Sequence, residues 1–274
     1  MSDEPGAGMD AAGPDAYRRG VAFDVPAGSY ERFMGRFSTP LAPSFCDATI
    51  DDLADGARVL DVGCGPGMLT RELVRRLGPG QVSAVDPSPP FVETAAARFP
   101  GTDVRPARAE RLPYDDDTFD AALAQLVVHF MTDPAGGLRE MARVTRPGGT
   151  VATCVWDHSG GSGPLSRFWD VAHRLDPSTL GEGHLPGTAE GELADLLDKA
   201  GLSDVRQDRL SVSVRFSDFD DWWEPYTFGV GPVGVYVRRL SPDRLERLEA
   251  ALRAELPSGP FEVRADAWCA TGRA

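Results

Sequence analysis

The chain has 274 residues, 42% hydrophobic and 26% charged, which suits a globule and allows one large α/β domain with smaller insertions. Its net charge of −14 argues against a polyanionic partner such as DNA or RNA, because no counterion-release gain is available to it. Cys46, Cys64, Cys154 and Cys269 show no C-x-x-C spacing and no apolar run is long enough to span a membrane, so the chain reads as cytoplasmic, with reduced thiols and neither a zinc site nor a disulfide scaffold.

Residues 1–27 are rich in Gly, Ala, Pro and Asp and are expected to form a mobile tail. Tyr30, Phe33, Met34 and Phe37 then recur at helical spacing, and a second helix over 41–53 leads to the first strand. Residues 58–62 are a short apolar run ending near Asp61, the length of a buried parallel strand. The loop Gly63-Cys64-Gly65-Pro66-Gly67 follows, and Leu69, Leu73 and Leu77 carry a helix away from it. Such a loop lets a ligand approach the backbone where free N–H groups gather. A second strand over 81–86 ends in Asp86, 19 residues after Gly67, where a doubly wound fold places a carboxylate for a ribose diol. The glycines run G-x-G-x-G rather than G-x-G-x-x-G, with Asp61 two residues ahead of them. An acid so close to the loop suits an amine better than a pyrophosphate.

Ser88 caps a helix to about Phe99, and Val104 lies in a short third strand. Residues 119–128 form a fourth strand ending at the topological switch point, so Gln125 to His129 line the crevice there. Asp133 caps the next helix, and 150–156 is the fifth strand. Beyond it come a Gly- and Pro-rich stretch with a helix at 165–173, a helix over 188–200, a strand over 205–216, helices within 218–256, and a closing strand over 261–269.

The segments DVGCGPG, AVDPS, AERLPYDDDTFDAALAQLVVHF and REMARVTRPGG, in this order, resemble the class I methyltransferases that use S-adenosylmethionine (SAM). The branch that acts on small molecules, similar to the ubiquinone and menaquinone biosynthesis enzymes, is the nearest in pattern. The resemblance covers residues 59–156. It implies an α/β, Rossmann-like, seven-stranded and mostly parallel sheet with an antiparallel edge strand, plus helical lid insertions. Together with the composition and periodicity of the flanking segments, it divides the chain into the tail at 1–27, cap helices and cofactor core at 28–156, a lid insertion at 157–187, a core helix and strand at 188–217, a helical lid at 218–256 and a closing edge strand at 257–274.

The resemblance also assigns residues. SAM, leaving as S-adenosylhomocysteine, would meet Asp61, Gly63, Cys64, Gly65, Gly67, Asp86, Pro87, Ser88 and Gln125, with Tyr30 and Arg36 reaching it from the N-terminal helix. Where the family carries an acid for the adenine amino group this chain has Arg108, so either Glu110 substitutes or the backbone of Ala109 serves alone. Trp156, Trp222, Trp223 and Tyr226 would wall the acceptor, although adjacent tryptophans cannot share one helical face, so one of the pair can be core and the other an interface. His129 either caps and packs the strand–helix junction, or faces the acceptor and orients it or takes its proton.

A D-P-P-Y or N-P-P-Y motif after the fourth strand is absent, which sets aside an adenine- or glutamine-directed enzyme. Asp115-Asp116-Asp117 reads as a solvated turn, so no metal is expected. The expected activity is methyl transfer to a small-molecule or peptide acceptor, with no nucleic-acid or membrane partner. The alternatives are a nicotinamide-dependent oxidoreductase on the same fold class, and a non-catalytic protein that keeps SAM for stability.

Overall fold

The computed structural model describes residues 25–274. The tail expected at 1–27 therefore falls outside the described residues except for its last three, of which Val25 is buried. The chain enters through a helical strap made of α1 (Ala27–Tyr30), a π-helical turn (Glu31–Gly35) and α2 (Arg36–Thr49). The sequence periodicity anticipated one regular helix at the start. A π-helical turn interrupts it instead, and Phe33 and Phe37, four residues apart, are both buried.

The central sheet follows from β1 (Val59–Val62), α3 (Met68–Leu77), β2 (Val82–Asp86), α4 (Pro89–Arg98), β3 (Asp103–Pro106), β4 (Phe119–Gln125), α5 (Pro134–Val144) and β5 (Thr145–Trp156). Every residue of β1 and β2 is buried, the signature of parallel strands covered on both faces. α6 (Ser166–Leu175), α7 (Glu192–Lys199), β6 (Ser203–Phe216), α8 (Phe219–Trp223), α9 (Gly231–Arg239), α10 (Pro242–Glu255) and β7 (Phe261–Arg273) complete the chain. The order across the sheet is β3-β2-β1-β4-β5-β7-β6, with β7 antiparallel to both its neighbours. The antiparallel strand expected at the edge thus forms an antiparallel pair there, but β6 is outermost and β7 lies inside it. Their pairing explains why. Ala265, Ala267 and Cys269 are buried along β7, whereas β6 alternates exposed and buried residues, the pattern of a strand covered on one face.

Reversal of strand order between β1 and β4 opens the crevice at their C-terminal ends. β4 stops at Gln125, short of the expected residue 128, because Leu126 takes the left-handed conformation with φ 64°. That geometry costs about 1–2 kcal/mol for a residue with a Cβ, and strain of this kind gathers at functional sites. It sends the chain into a tight 3-10 turn (Val128–Phe130) that buries His129. α7 begins later than the expected residue 188, since Gly191 at φ 84° breaks the helix before it.

Candidate functional site

The loop after β1 is wrapped around its two carboxylates. Gly63 and Cys64 each donate a backbone N–H to Val85 O, at 2.8 and 2.9 Å, which clamps the loop onto β2. Asp86, at the end of β2, accepts from Gly65 N through Oδ2 and from Ser88 N through Oδ1, both at 2.8 Å. The carboxylate is therefore held rigid, with further lone pairs free on each oxygen. Burial raises its pKa, offset in part by those two backbone bonds.

The three glycines differ in role. A Cβ on Gly63 would strike Val127 at 2.5 Å and one on Gly67 would strike Phe99 at 2.3 Å, so both are required by packing. A Cβ on Gly65 would meet nothing nearer than Phe91, 4.0 Å away. Of the three, only Gly65 borders open space. The Cys64 side chain packs in a small cluster with Ala84 and Ala95, and its thiol donates to Gly65 O of the loop at 3.4 Å.

Asp61 is completely buried, and Thr70 Oγ1 donates to its Oδ2 at 2.6 Å. Its Oδ1 has no partner. Burial pushes the carboxyl up to about 7, with the Thr70 bond opposing and the charge of Asp86 adding to the rise. On neighbouring β4, Gln125 Nε2 donates to Ser38 O of the strap at 3.0 Å, while its Oε1 is buried and unpartnered. Val59 and Leu123 contribute to the core under the strap, and strand alternation puts Asp61 and Gln125 on that same face. Two acceptors buried without donors, close to a rigid carboxylate and an open glycine, fit a ligand that brings its own donors: an ammonium group and a vicinal diol.

The strap closes over this corner. Tyr30 packs edge-on against Phe91 at 5.5 Å, and burial first, then the charge of Asp86, raises its hydroxyl's pKa. Tyr30 thus lies against α4 and near Asp86, whereas Arg36 turns toward α8. It pairs with Asp221 of α8 at 2.6 Å, donates to Arg215 O at 2.9 Å and lies over the Phe216 ring. It ties the strap to α8 and the end of β6, and its charge is paired there. Glu31–Arg98 and Arg32–Glu224 are further ties, the first to α4 and the second to the turn after α8. Glu110 also departs from expectation. Its Oε1 accepts from Thr132 N at 2.7 Å and Asp133 N at 3.3 Å, so that oxygen braces the approach to α5. Ala109, which is buried, offers its backbone; Pro87 joins Asp86 to Ser88.

The residues expected to wall the acceptor form an aromatic cluster. Trp156 is 1% exposed, packs on Phe37 and donates Nε1 to Met34 Sδ at 3.3 Å, so it supports the strap from beneath. Trp222, Trp223 and Tyr226 are all buried, and neither tryptophan is left at the surface. Tyr226 contacts Trp222 at 4.6 Å, Trp223 at 5.9 Å, Phe168 of α6 at 5.0 Å and Phe33 of the strap at 5.1 Å. Each such ring contributes about 1.5–3 kcal/mol by burial alone. The two tryptophans are accommodated together because α8 is only five residues long and has no second helical face to satisfy.

His129 is 2% exposed, with its Nδ1 unpartnered and His158 across from it at 6.2 Å. Burial, then the neighbouring His158, drives its pKa well below the usual imidazole value, and His158 falls to about 4 by burial. Both rings are therefore held neutral near pH 7. Sequence reasoning missed His158 and the residue that places it. Asp157 accepts from Gly160 N at 2.8 Å and Ser162 Oγ at 2.6 Å, folding the D-H-S-G-G-S-G stretch into a tight loop after β5. Asp followed closely by Gly and Ser was the available signal. Asp115 to Asp117 form a surface turn with Asp116 on Arg143, and no metal-binding cluster occurs among the described residues.

The family described as a methyltransferase domain matches residues 60–153. An uncharacterized methyltransferase of Mycobacterium tuberculosis is 41% identical over 140 residues, half of this chain. The chain spans about half the length of that relative, 52%. The demethylmenaquinone methyltransferase of Roseiflexus castenholzii is 32% identical over 202 residues, covering 67% of this chain and 84% of the relative. Among solved structures, geranyl diphosphate C-methyltransferase from Streptomyces coelicolor, determined with S-adenosylhomocysteine, superposes with a TM-score of 0.51 over 88% of this chain and 80% of that one, at 15% identity.

Proposed function

Because this chain belongs to the class I SAM-dependent methyltransferases, we propose that it moves the methyl group of SAM to a small organic acceptor and releases S-adenosylhomocysteine. The observation that carries this reading is the unpartnered, fully buried Oδ1 of Asp61, set beside an Asp86 carboxylate already oriented by two backbone amides. Asp61 would hold the ammonium, Asp86 the ribose hydroxyls, and Gly65 would let the backbone approach. Asp61 and Gln125 are buried beneath the strap that carries Tyr30, which would keep water from the ammonium. When bound, SAM supplies an electrophilic methyl on a sulfonium, so the protein's task is alignment and desolvation rather than electrophile chemistry.

The acceptor would enter where β4 and β5 end, against the aromatic wall of Phe168, Trp223 and Tyr226 and beside His129. A neutral, buried His129 suits orientation of an acceptor group by a hydrogen bond. The Roseiflexus relative is named for a small molecule, demethylmenaquinone, which supports a small-molecule acceptor here. The test is mass spectrometry of ligands retained by the purified protein, followed by acceptor screening with methyl-labelled SAM. Retention of SAM or its product and label transfer to a small molecule are expected. A protein that binds neither cofactor form at millimolar concentration would overturn the reading.

A further inference from the structure

A cavity of about 460 Å³ opens beside the end of β5, between α6 and the segment that follows it, and is lined by His158, Ser166, Trp169, Asp170, Glu182 and residues around them. Glu182 begins the 3-10 turn Glu182–His184 and is 3% exposed. Among the described residues no Arg, Lys or His forms an ion pair with it. Its one side-chain bond comes from Trp169 Nε1, at 2.9 Å to Oε2. The other charged side chains leave the carboxyl uncompensated. Arg174 at the rim is paired with Glu255, and Asp170 adds a second acid. Trp169 is packed against Phe168 at 5.1 Å and Tyr236 at 5.5 Å, so the carboxyl faces an aromatic setting.

A buried carboxyl without a cation is costly, and an aromatic wall beside acidic groups is the surrounding that favours an ammonium over a neutral or anionic group. We infer that this cavity is the recognition site for an amine-bearing substrate, with Glu182 as counter-charge to its ammonium and Trp169 as the flanking ring. The inference rests on the methyltransferase reading and names the substrate class within it. The position agrees: His158 lines the cavity, and its ring lies 6.2 Å from that of His129 at the end of β4, so the cavity borders the crevice where the methyl donor is proposed to sit. Burial pushes Glu182 up to about 7, the Trp169 bond offsetting part of the rise, and a bound cation would favour its ionised form. The Glu182 charge is also felt at buried Tyr226, whose hydroxyl pKa is raised by burial first and by this acid second.

The experiment uses the full chain and two probes of the same shape, 2-phenylethylamine and 2-phenylethanol. S-adenosylhomocysteine is titrated first by calorimetry. Failure to bind it counts against the methyltransferase reading alone. Both probes are then titrated at pH 8, with and without S-adenosylhomocysteine. The expected result is that the amine binds wild-type protein at least tenfold more tightly than the alcohol. In Glu182→Gln, which keeps an oxygen for Trp169, the preference falls below twofold while S-adenosylhomocysteine affinity stays within twofold. Equal or undetectable binding of the two probes to wild-type protein overturns the inference without need of any variant, and so does a preference that persists in Glu182→Gln.

Discussion

Replacing Asp61 with Asn should make the free protein more stable and the cofactor complex weaker. The carboxyl is completely buried and its pKa stands near 7, about three units above an ordinary aspartate. Below the unfolded value of about 4, both states are protonated and there is no effect. As pH rises from there to about 7 the unfolded chain ionises while the folded protein holds its proton, so stability falls; above pH 7 the penalty is constant. Three units correspond to on the order of 4 kcal/mol. Asn removes that penalty and keeps an oxygen for Thr70, but its amide nitrogen occupies the unpartnered Oδ1 position, costing about 1–3 kcal/mol. The net gain in the free protein at pH 8 is therefore about 1–3 kcal/mol, or roughly 2–10 °C in Tm for a chain of this size. It should shrink through pH 6 and disappear or reverse near pH 4. Calorimetric titration should show SAM affinity lowered at least tenfold, because the ammonium has lost its counter-charge. A variant that is destabilised at pH 8 and binds SAM as well as wild type would show that Asp61 is an anchor for Thr70 and nothing more.

Asp86→Ala removes the acceptors for both ribose hydroxyls and should weaken SAM binding by about 1.5–3 kcal/mol in the same titration; unchanged affinity in a folded variant rules the assignment out. Gly65→Ala should cost the free protein only about 1 kcal/mol for its φ of 54°, since nothing crowds the new Cβ, yet lower SAM affinity tenfold or more because the methyl projects into ligand space. Denaturation and titration on one preparation separate the two effects, and equal losses in both would contradict the open-cradle reading. His129→Ala should lower turnover about 10²-fold with SAM affinity nearly intact, and the wild-type rate should show no inflection between pH 6 and 8 from this ring, because burial keeps it neutral there. A pH-rate profile that loses an inflection near 6.5 in the variant would mean that His129 titrates in the working enzyme.

Much of the geometry of the corner proposed for the cofactor was legible because it is local. Asp61, the loop from Gly63 to Gly67 and Asp86 lie within 26 residues, and their spacing dictates strand, turn, helix and strand before any long-range contact forms. Periodicity likewise located the parallel strands, since burial on both faces leaves continuous apolar runs. What tertiary structure decided are pairings across the chain. Arg36 lies at helical spacing suited to the cofactor, but Asp221, 185 residues away, is the partner that takes its charge. Glu110 is held by the backbone of Thr132 and Asp133, and whether β6 or β7 is outermost depends on which of them Thr150 to Trp156 meets. Glu182 carries no local motif at all: its significance comes from burial against Trp169 and from the absence of an ion-pair partner among the described residues, and the chain brings that environment together only on folding. Short-range order follows from backbone preference and the spacing of apolar residues, whereas the energy of a charge depends on the neighbours and solvent that distant segments bring to it or exclude.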